Sequence, residues 1–160
     1  MEKARTGDLE IITNNSSIDN CLVILHNQYK NRISIHKQYE EAGLIVKGNS
    51  GKLHQVFTNI LTNSIQAIEE SGRISITTQK DEENVLILIS DNGCGIKEEN
   101  LSKIMDPFFT TKDPSKGTGL GLSITHSIIS EHKGQLLFES EFGKGTTAKI
   151  TLPINLLNYE

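Results

Sequence analysis

KGTGLGLSI, residues 116–124, places three glycines on alternate positions and then enters an apolar helical pattern. Alternate glycines leave one edge of the backbone without Cβ atoms, so that successive N–H groups can point into a shared concavity. The N-terminus of the helix that follows adds its dipole at the same place. The run is therefore typical of a cradle for phosphate oxygens. A flexible glycine-rich turn before an ordinary helix gives the same local pattern.

Length and composition indicate one globular domain. The chain has 160 residues, and 16 Lys and Arg against 20 Asp and Glu give a net charge of −4. This balance disfavours a surface built for nucleic acid or anionic lipid. No purely apolar run exceeds five residues, the length of Val85 to Ile89, which is too short to cross a bilayer, and no signal-peptide pattern is visible. Cys21 and Cys94 form no metal or redox spacing, so we expect a reducing, cytoplasmic location, although the parent protein can still be membrane-anchored.

Hydrophobic periodicity divides the chain into helices and strands with short connections. Helices are predicted at 16–31, 51–70, 97–103 and 120–132. Strands are predicted at 33–37, 44–46, 73–80, 85–90, 135–140 and 146–152. The polar segment 1–15 is predicted to be a leader or linker, residues 16–155 to be the domain, and residues 156–160 to be a C-terminal tail.

Two polar patterns border the predicted core. The helix 51–70 carries a stripe of side-chain amides beside its apolar face, formed by Gln55, Asn59, Asn63 and Gln66. An ordinary solvated stripe has the same spacing. Asp91 ends a buried strand and precedes Gly93 and Gly95, which let a flat ligand approach. A hairpin turn is the alternative, but the residues from Lys97 onward have a helical pattern and not that of a returning strand.

A purine nucleotide with Mg²⁺ accounts for these patterns together with the phosphate cradle. A carboxylate accepts a hydrogen bond from the adenine amine, and amide oxygens suit Mg²⁺, which bridges phosphates. Lys112 and Lys116 can neutralise the terminal phosphates. The adjacent aromatics Phe108 and Phe109 are typical of a loop that closes over a ligand. The residues therefore predict a site for an adenine nucleotide with Mg²⁺.

Five motifs, in order, resemble those of the catalytic and ATP-binding domain of sensor histidine kinases, within the superfamily that includes gyrase, the heat-shock chaperones and the mismatch-repair ATPases. The matching segments are 59–63 (NILTN, asparagine box), 91–95 (DNGCG, first glycine box), 107–112 (PFFTTK, phenylalanine box), 117–122 (GTGLGL, second glycine box) and 143–146 (GKGT, last glycine box). The resemblance covers about residues 8 to 153. It implies a two-layer α/β sandwich, in which a mixed, mostly antiparallel five-stranded sheet packs against three helices, with a mobile ATP lid.

The resemblance also implies roles for the matched residues. Asp91 would bind the adenine amine, Asn63 would ligate Mg²⁺, and Asn59 would support the metal. Asn59 and Lys112 would be catalytic, and Thr146 would lie near the adenine. The implied nucleotide-binding residues are Asn59, Asn63, Asp91, Gly93, Gly95, Ile96, Lys112, Lys116, Gly117, Thr118, Gly119, Leu120, Gly121 and Thr146.

Position 59 separates the subfamilies. The ATP-hydrolysing relatives carry Glu there to activate water, whereas the amide of Asn59 cannot accept a proton. Asn59 therefore favours transfer of the γ-phosphoryl group over hydrolysis. The family's acceptor histidine is followed by an acidic residue and then a proline, and no histidine here has that neighbourhood. We interpret all of them as surface or packing residues: His26, His36, His54, His126 and His132.

We therefore expect a catalytic domain that phosphorylates a histidine on the dimerisation and phosphotransfer domain of its parent kinase, for relay to a response regulator receiver domain. Residues 1–15 would be a linker or the end of the dimerisation hairpin, and the isolated domain would be monomeric, without nucleic-acid or membrane contacts. Two alternatives are an anti-sigma-type serine kinase of the same superfamily and a nucleotide-sensing module without catalysis. The segment 108–112 disfavours the first, and intact Lys112, Asn63 and Asp91 disfavour the second.

Overall fold

The structure, a computed structural model, describes residues 10–40, 45–107 and 121–154. These residues form seven strands and four helices. The strands are β1 (Glu10–Thr13), β2 (Ile33–Tyr39), β3 (Ile45–Gly48), β4 (Gly72–Asp81), β5 (Asn84–Asp91), β6 (Gln135–Glu141) and β7 (Gly145–Pro153). The helices are α1 (Asn14–Tyr29), α2 (Ser50–Ala67), α3 (Glu98–Leu101) and α4 (Gly121–Glu131).

The main sheet has five strands in the order β2-β4-β5-β7-β6. Only the β2–β4 pair is parallel, and the other three pairs are antiparallel. β1 and β3 form a separate two-stranded antiparallel sheet. The prediction of a mixed, mostly antiparallel five-stranded sheet is confirmed.

The core lies between one face of this sheet and a layer of three helices, α1, α2 and α4, with α2 in the middle. Alternate residues of β5 (Val85, Ile87 and Ile89) are almost completely buried, as period-two side chains on a covered face should be. The helical side of the core comes from α2, whose buried apolar residues include Phe57 and Leu61. Each such side chain stabilises the fold by about 1.5–3 kcal/mol. The predicted two-layer α/β sandwich with three helices is therefore correct, and α3 adds a single turn.

Side-chain and backbone groups from other elements hold α2 at both ends. Asn49 caps its N-terminus by accepting a 2.9 Å hydrogen bond from the N–H of Lys52, and its own N–H donates to His132 Nε2 at 3.0 Å. At the C-terminus, Arg32 donates to the carbonyl oxygen of Ile68 at 2.7 Å. These bonds satisfy groups that a helix terminus leaves unpaired. The polar stripe of α2 is thereby fixed relative to the sheet.

The structure differs from the prediction mainly at the N-terminus. Residues 10–13 pair with β3, although the segment 1–15 is predicted to be a linker, and α1 begins at Asn14, two residues before the predicted start. A four-residue strand gives too short a pattern for its periodicity to be recognised. The predicted tail 156–160 and the predicted phenylalanine loop and lid lie outside the described residues. No helix in the described ranges is long and apolar enough to span a membrane.

Candidate functional site

Asp91 lies at the end of β5, where its carboxyl group receives several hydrogen bonds. The N–H of Gly93 donates to Oδ1 at 2.9 Å. The Ser64 hydroxyl of α2 and the backbone N–H of Thr146 also donate to this carboxyl group. Burial raises the pKa of Asp91 and is the largest effect, while the three donors partly lower it. A half-buried carboxyl group with a perturbed pKa in such a place is typical of a functional site.

The loop after Asp91 fits tightly between α2 and the β6–β7 turn. The N–H of Cys94 donates to the carbonyl oxygen of Ala67 at 2.9 Å, and the N–H of Gly143 donates to that of Cys94 at 2.6 Å. Gly95 has a φ of +77°, and a Cβ there would lie 2.3 Å from the carbonyl oxygen of Glu141. The space beside this glycine is therefore filled by protein backbone. The fold itself requires Gly95, whereas the sequence suggested that the glycine pair leaves room for a ligand.

Ser140 joins this loop to the last strand pair. Its hydroxyl accepts a 2.7 Å hydrogen bond from the N–H of Ile96, donates to the carbonyl oxygen of Gly145 at 2.9 Å, and lies 2.8 Å from Thr146 Oγ1. Gly145 has a φ of +136°, and a Cβ there would lie only 2.0 Å from the carbonyl oxygen of Asp91. The predicted site residues Asp91, Ile96 and Thr146 are thus brought together.

A second cluster joins α2 to the first turn of α4. The side-chain amide nitrogen of Asn59 donates to the carbonyl oxygen of Gly121 at 3.2 Å and to Thr125 Oγ1 at 3.1 Å. The hydroxyl of Thr125, which is fully buried, donates to the same Gly121 oxygen at 2.8 Å. Asn59 and Gly121, which are 62 residues apart, were both predicted to bind nucleotide, and the fold places them in contact.

The two clusters are neighbours on α2. Ser64, which contacts Asp91, follows Asn59 by five positions on α2, or about 7.5 Å along the helix axis. Asn63 lies between them and is half-buried. Within residues 10–40, 45–107 and 121–154, no group of three or more His, Cys, Asp or Glu side chains could hold a metal ion. The amide oxygens of Asn59 and Asn63 are of the ligand type that suits Mg²⁺.

Beyond Asn59, a surface groove of about 380 Å³ lies between α2 and α4. Gln55, one turn before Asn59, lines it together with Pro107, Ser123, Ile124 and Ser127. Ile124 is 37% exposed, whereas the other two isoleucines of α4, Ile128 and Ile129, are buried. The polar stripe of α2 thus has Asp91 beside one end, Asn59 in the middle and a partly apolar groove beside the other end.

The structure describes some of the predicted site residues and not others. Those among the described residues are Asn59, Asn63, Asp91, Gly93, Gly95, Ile96, Gly121 and Thr146. Those outside the described residues are Lys112, Lys116, Gly117, Thr118, Gly119 and Leu120. Sequence reasoning did not identify Ser64, Thr125 or Ser140. The only available signal for Thr125 is its spacing of four from Gly121, which allows a hydroxyl to bond a carbonyl one turn earlier.

Comparison with known proteins gives one family. The family model described as "Histidine kinase-, DNA gyrase B-, and HSP90-like ATPase" matches residues 48–156. This range contains both clusters and the groove. Sporulation kinase C of Bacillus subtilis (strain 168) is 40% identical over 129 residues, which are 80% of this chain and 30% of that protein. The chain therefore spans less than a third of the length of this relative.

Solved structures match most of the fold. The catalytic domain of histidine kinase ThkA is 31% identical, with a TM-score of 0.82 over 92% of this chain and 98% of that one. A structure of ThkA in complex with the response regulator protein TrrA is 28% identical, with a TM-score of 0.79 over 96% of this chain and 44% of that one. The five-stranded sheet and helices described above are thus those of a histidine kinase catalytic domain.

Proposed function

Because the chain belongs to the family of histidine kinase-, DNA gyrase B- and HSP90-like ATPases, we propose that it is the catalytic domain of a sensor histidine kinase. It binds ATP with Mg²⁺ and donates the γ-phosphoryl group to a histidine on a separate dimerisation domain. A receiver domain of a response regulator then takes the phosphoryl group from that histidine. The likeness to the ThkA catalytic domain supports this proposal over the other activities of the superfamily.

Asp91 supports the adenine end of the site. Its carboxylate accepts hydrogen bonds from Ser64, Gly93 and Thr146, and these donors fix its orientation. An ionised carboxylate has further lone pairs and no proton to donate. It therefore accepts from the amine of adenine, whereas guanine presents a carbonyl oxygen there and would be repelled. Thr146 and Ile96 border the same place through Ser140.

Asn63 and Asn59 support the phosphate end. The amide nitrogen of Asn59 is engaged by Gly121 and Thr125, so that its oxygen is the atom available to a ligand. Amide oxygens at these two positions fit Mg²⁺, and the bound ion would neutralise the charge on the phosphate oxygens. The N-terminus of α4 at Gly121 adds its dipole. Lys112, Lys116 and the glycine run 117–121 complete the proposed phosphate site.

Transfer then depends mainly on positioning and charge stabilisation. A ring nitrogen of the acceptor histidine attacks the γ-phosphorus, the bond to the β–γ bridging oxygen breaks, and ADP leaves. Because position 59 carries an amide and not a carboxylate, water has no base at this position. We propose that the acceptor domain approaches through the groove beside Gln55 and Ile124, since it lies next to Asn59 at the phosphate end.

Location, oligomeric state and domain organisation follow from this assignment. We propose a cytoplasmic location, a monomeric state for the isolated domain, and a parent kinase that supplies the dimerisation domain. Segments 16–155 and 156–160 keep their proposed roles as catalytic domain and tail, whereas residues 10–15 of the predicted linker 1–15 belong to β1 and α1. The two proposed partners are the dimerisation and phosphotransfer domain of the parent kinase and the receiver domain of a response regulator.

The position of Asp91 carries the proposal, because a half-buried carboxyl group at the end of β5, held by Ser64 of the helix that bears Asn59 and Asn63, suits a purine. Calorimetry should show that the protein binds ATP more tightly with Mg²⁺ than with EDTA. Asp91→Ala should reduce ATP affinity by about 10- to 150-fold, because it removes a charged hydrogen-bond acceptor. The control is Asp81→Ala, on an exposed residue of the β4–β5 hairpin. Unchanged affinity in Asp91→Ala would contradict the assignment.

A transfer assay with labelled ATP separates the proposed activity from its alternatives. The acceptors are a supplied dimerisation hairpin domain bearing the acceptor histidine and a serine-containing regulator protein. Acid-labile label on the hairpin supports the histidine kinase, since a phosphorylated histidine is lost in acid and a phosphorylated serine is not. Label on the regulator would indicate the serine kinase, and ATP binding without transfer to either would indicate a nucleotide-sensing module.

A further inference from the structure

Thr125 takes part in the second cluster but was not among the predicted site residues. Its side chain is 0% exposed, and its hydroxyl contacts both Gly121 and Asn59. A threonine that bonds the carbonyl four residues earlier is common in helices. The unusual feature is the further bond to an amide on another helix, α2, which carries the proposed phosphate-end residues.

The chemistry of the three groups fixes the direction of every bond. The carbonyl oxygen of Gly121 can only accept, so the amide of Asn59 must present its nitrogen to it. The Thr125 hydroxyl has one proton, which it donates to the same oxygen. Its lone pair therefore accepts from Asn59. The amide cannot rotate by 180° without placing its oxygen against both the Gly121 oxygen and this hydroxyl oxygen.

We propose that Thr125 is a positioning residue, whose buried hydroxyl holds the Asn59 amide with its oxygen toward the metal side of the cleft. This inference rests on the proposed function, because it assigns the metal-facing atom of that same site. The Asn59 oxygen would then be a ligand for Mg²⁺ or would accept a hydrogen bond near it, and Asn59 would not donate to the phosphates. The same bonds join Asn59 to Gly121, the last glycine of the run.

Two substitutions separate the hydroxyl from the shape of the side chain. Thr125→Val keeps the branched shape but removes the hydroxyl, whereas Thr125→Ser keeps the hydroxyl. In Thr125→Val the Asn59 amide retains only Gly121, so a rotated amide becomes populated. We expect ATP affinity with Mg²⁺ to fall about three- to tenfold, the range for one hydrogen bond. Affinity in EDTA should stay within twofold of wild type, and Thr125→Ser should restore the magnesium effect.

The side-chain amide signals of Asn59 in an NMR spectrum give a readout that is independent of nucleotide. They should shift and exchange faster in Thr125→Val than in wild type, and Thr125→Ser should resemble wild type. Thr78→Val is the matched control, because Thr78 is 1% exposed and donates to Asn15 Oδ1 at 2.8 Å, on a different strand and helix. It should lower stability without changing the magnesium dependence of ATP binding.

Equal loss of affinity with and without Mg²⁺ in Thr125→Val would overturn the inference, and so would an unchanged Asn59 signal. Failure of the proposed function is distinguishable, because the wild-type protein would then show no magnesium-dependent ATP binding. The Asn59 signal tests the hydrogen bond in either case. Magnesium-dependent binding by wild type together with an unchanged Thr125→Val variant would reject only the positioning role.

Discussion

Thr146 lies directly opposite Asp91 in the antiparallel β5–β7 pair, and its backbone N–H donates to the Asp91 carboxyl group. The carboxyl group therefore sits at the end of two paired strands and against α2, through Ser64. This position combines burial with backbone rigidity, which is what a specific acceptor for a nucleobase requires. Burial also makes the ionised carboxylate unfavourable when no ligand is bound, and this should lower the stability of the ligand-free protein at neutral pH.

Asp91→Asn should stabilise the ligand-free protein at pH 7. Burial raises the pKa of Asp91, so between the ordinary aspartate pKa and the raised one the folded protein binds more protons than the unfolded chain. The contribution of this group to stability is therefore present at low pH and is lost as the pH rises through that window. We expect the Tm at pH 7 to rise, as measured by thermal unfolding.

The gain should shrink toward pH 4, where a protonated aspartate resembles asparagine. The same variant should lose ATP affinity, because its amide adds a donor where an acceptor is needed. Asp81→Asn on the exposed hairpin is the control and should change the Tm little at either pH. A lower Tm at pH 7, or a gain that is equal at both pH values, would contradict this account of Asp91.

Asn59→Glu should raise ATP hydrolysis by more than about tenfold, because it supplies a base near the phosphates. The variant also loses the bonds from the amide nitrogen to Gly121 and Thr125, so a stability loss of about 1–2 kcal/mol is expected. Phosphate release measures the first effect and denaturant unfolding the second. Asn59→Gln has the length of Glu without its charge, and equal hydrolysis by both variants would contradict the role of the base.

Gly95→Ala should destabilise the fold, whereas Gly121→Ala should not. A Cβ at Gly95 would need a strained φ of +77° and would meet the Glu141 carbonyl oxygen at 2.3 Å, so unfolding free energy should fall by about 1–3 kcal/mol or more. A Cβ at Gly121 would find its nearest neighbour, Asn59 Cγ, at 3.9 Å, which is an ordinary contact. Gly121→Ala should therefore fold normally.

ATP affinity is the second quantity to measure, in the Gly121→Ala variant. If phosphates approach the backbone at Gly121, the added methyl group should weaken ATP binding about tenfold in calorimetry, which corresponds to about 1.4 kcal/mol. Wild-type affinity in a folded Gly121→Ala variant would show that this glycine has no role in binding.

Ile124→Glu should reduce phosphoryl transfer to a supplied hairpin domain by about tenfold and leave ATP affinity unchanged. Ile124 is 37% exposed in the groove, and a charge there would be desolvated by a docking partner. Val23→Glu is the matched control, since Val23 is 74% exposed on α1 and does not line this groove. Similar transfer rates for the two variants would place the docking surface elsewhere.

The sequence was sufficient for the parts of the fold that repeat a local pattern. The apolar face of α2 and the alternation in β5 predicted these elements, because burial imposes a period on each. The Asn59 stripe and the position of Asp91 at a strand end were found in the same way. Each of these features is visible within a few residues of chain.

Contacts between distant residues could not be found in this way. Asn59 meets Thr125 across 66 residues, and Ile96 meets Ser140 across 44. A buried threonine or serine gives no periodic signal, and its partner depends on how the helices pack. The packing reason for Gly95 was also hidden, because it depends on the backbone of the β6–β7 turn, which lies far away in the sequence.

Both ring nitrogens of His132 form hydrogen bonds. The carbonyl oxygen of Ile128, 2.8 Å from Nδ1, can only accept, so Nδ1 carries the proton, and Nε2 uses its lone pair to accept from the N–H of Asn49. A histidine can be phosphorylated only if one of its ring nitrogens has a lone pair that is free to attack phosphorus. His132 therefore has none to offer while α2 is capped, and any radioactive label that ATP leaves on this chain should be found on a different side chain.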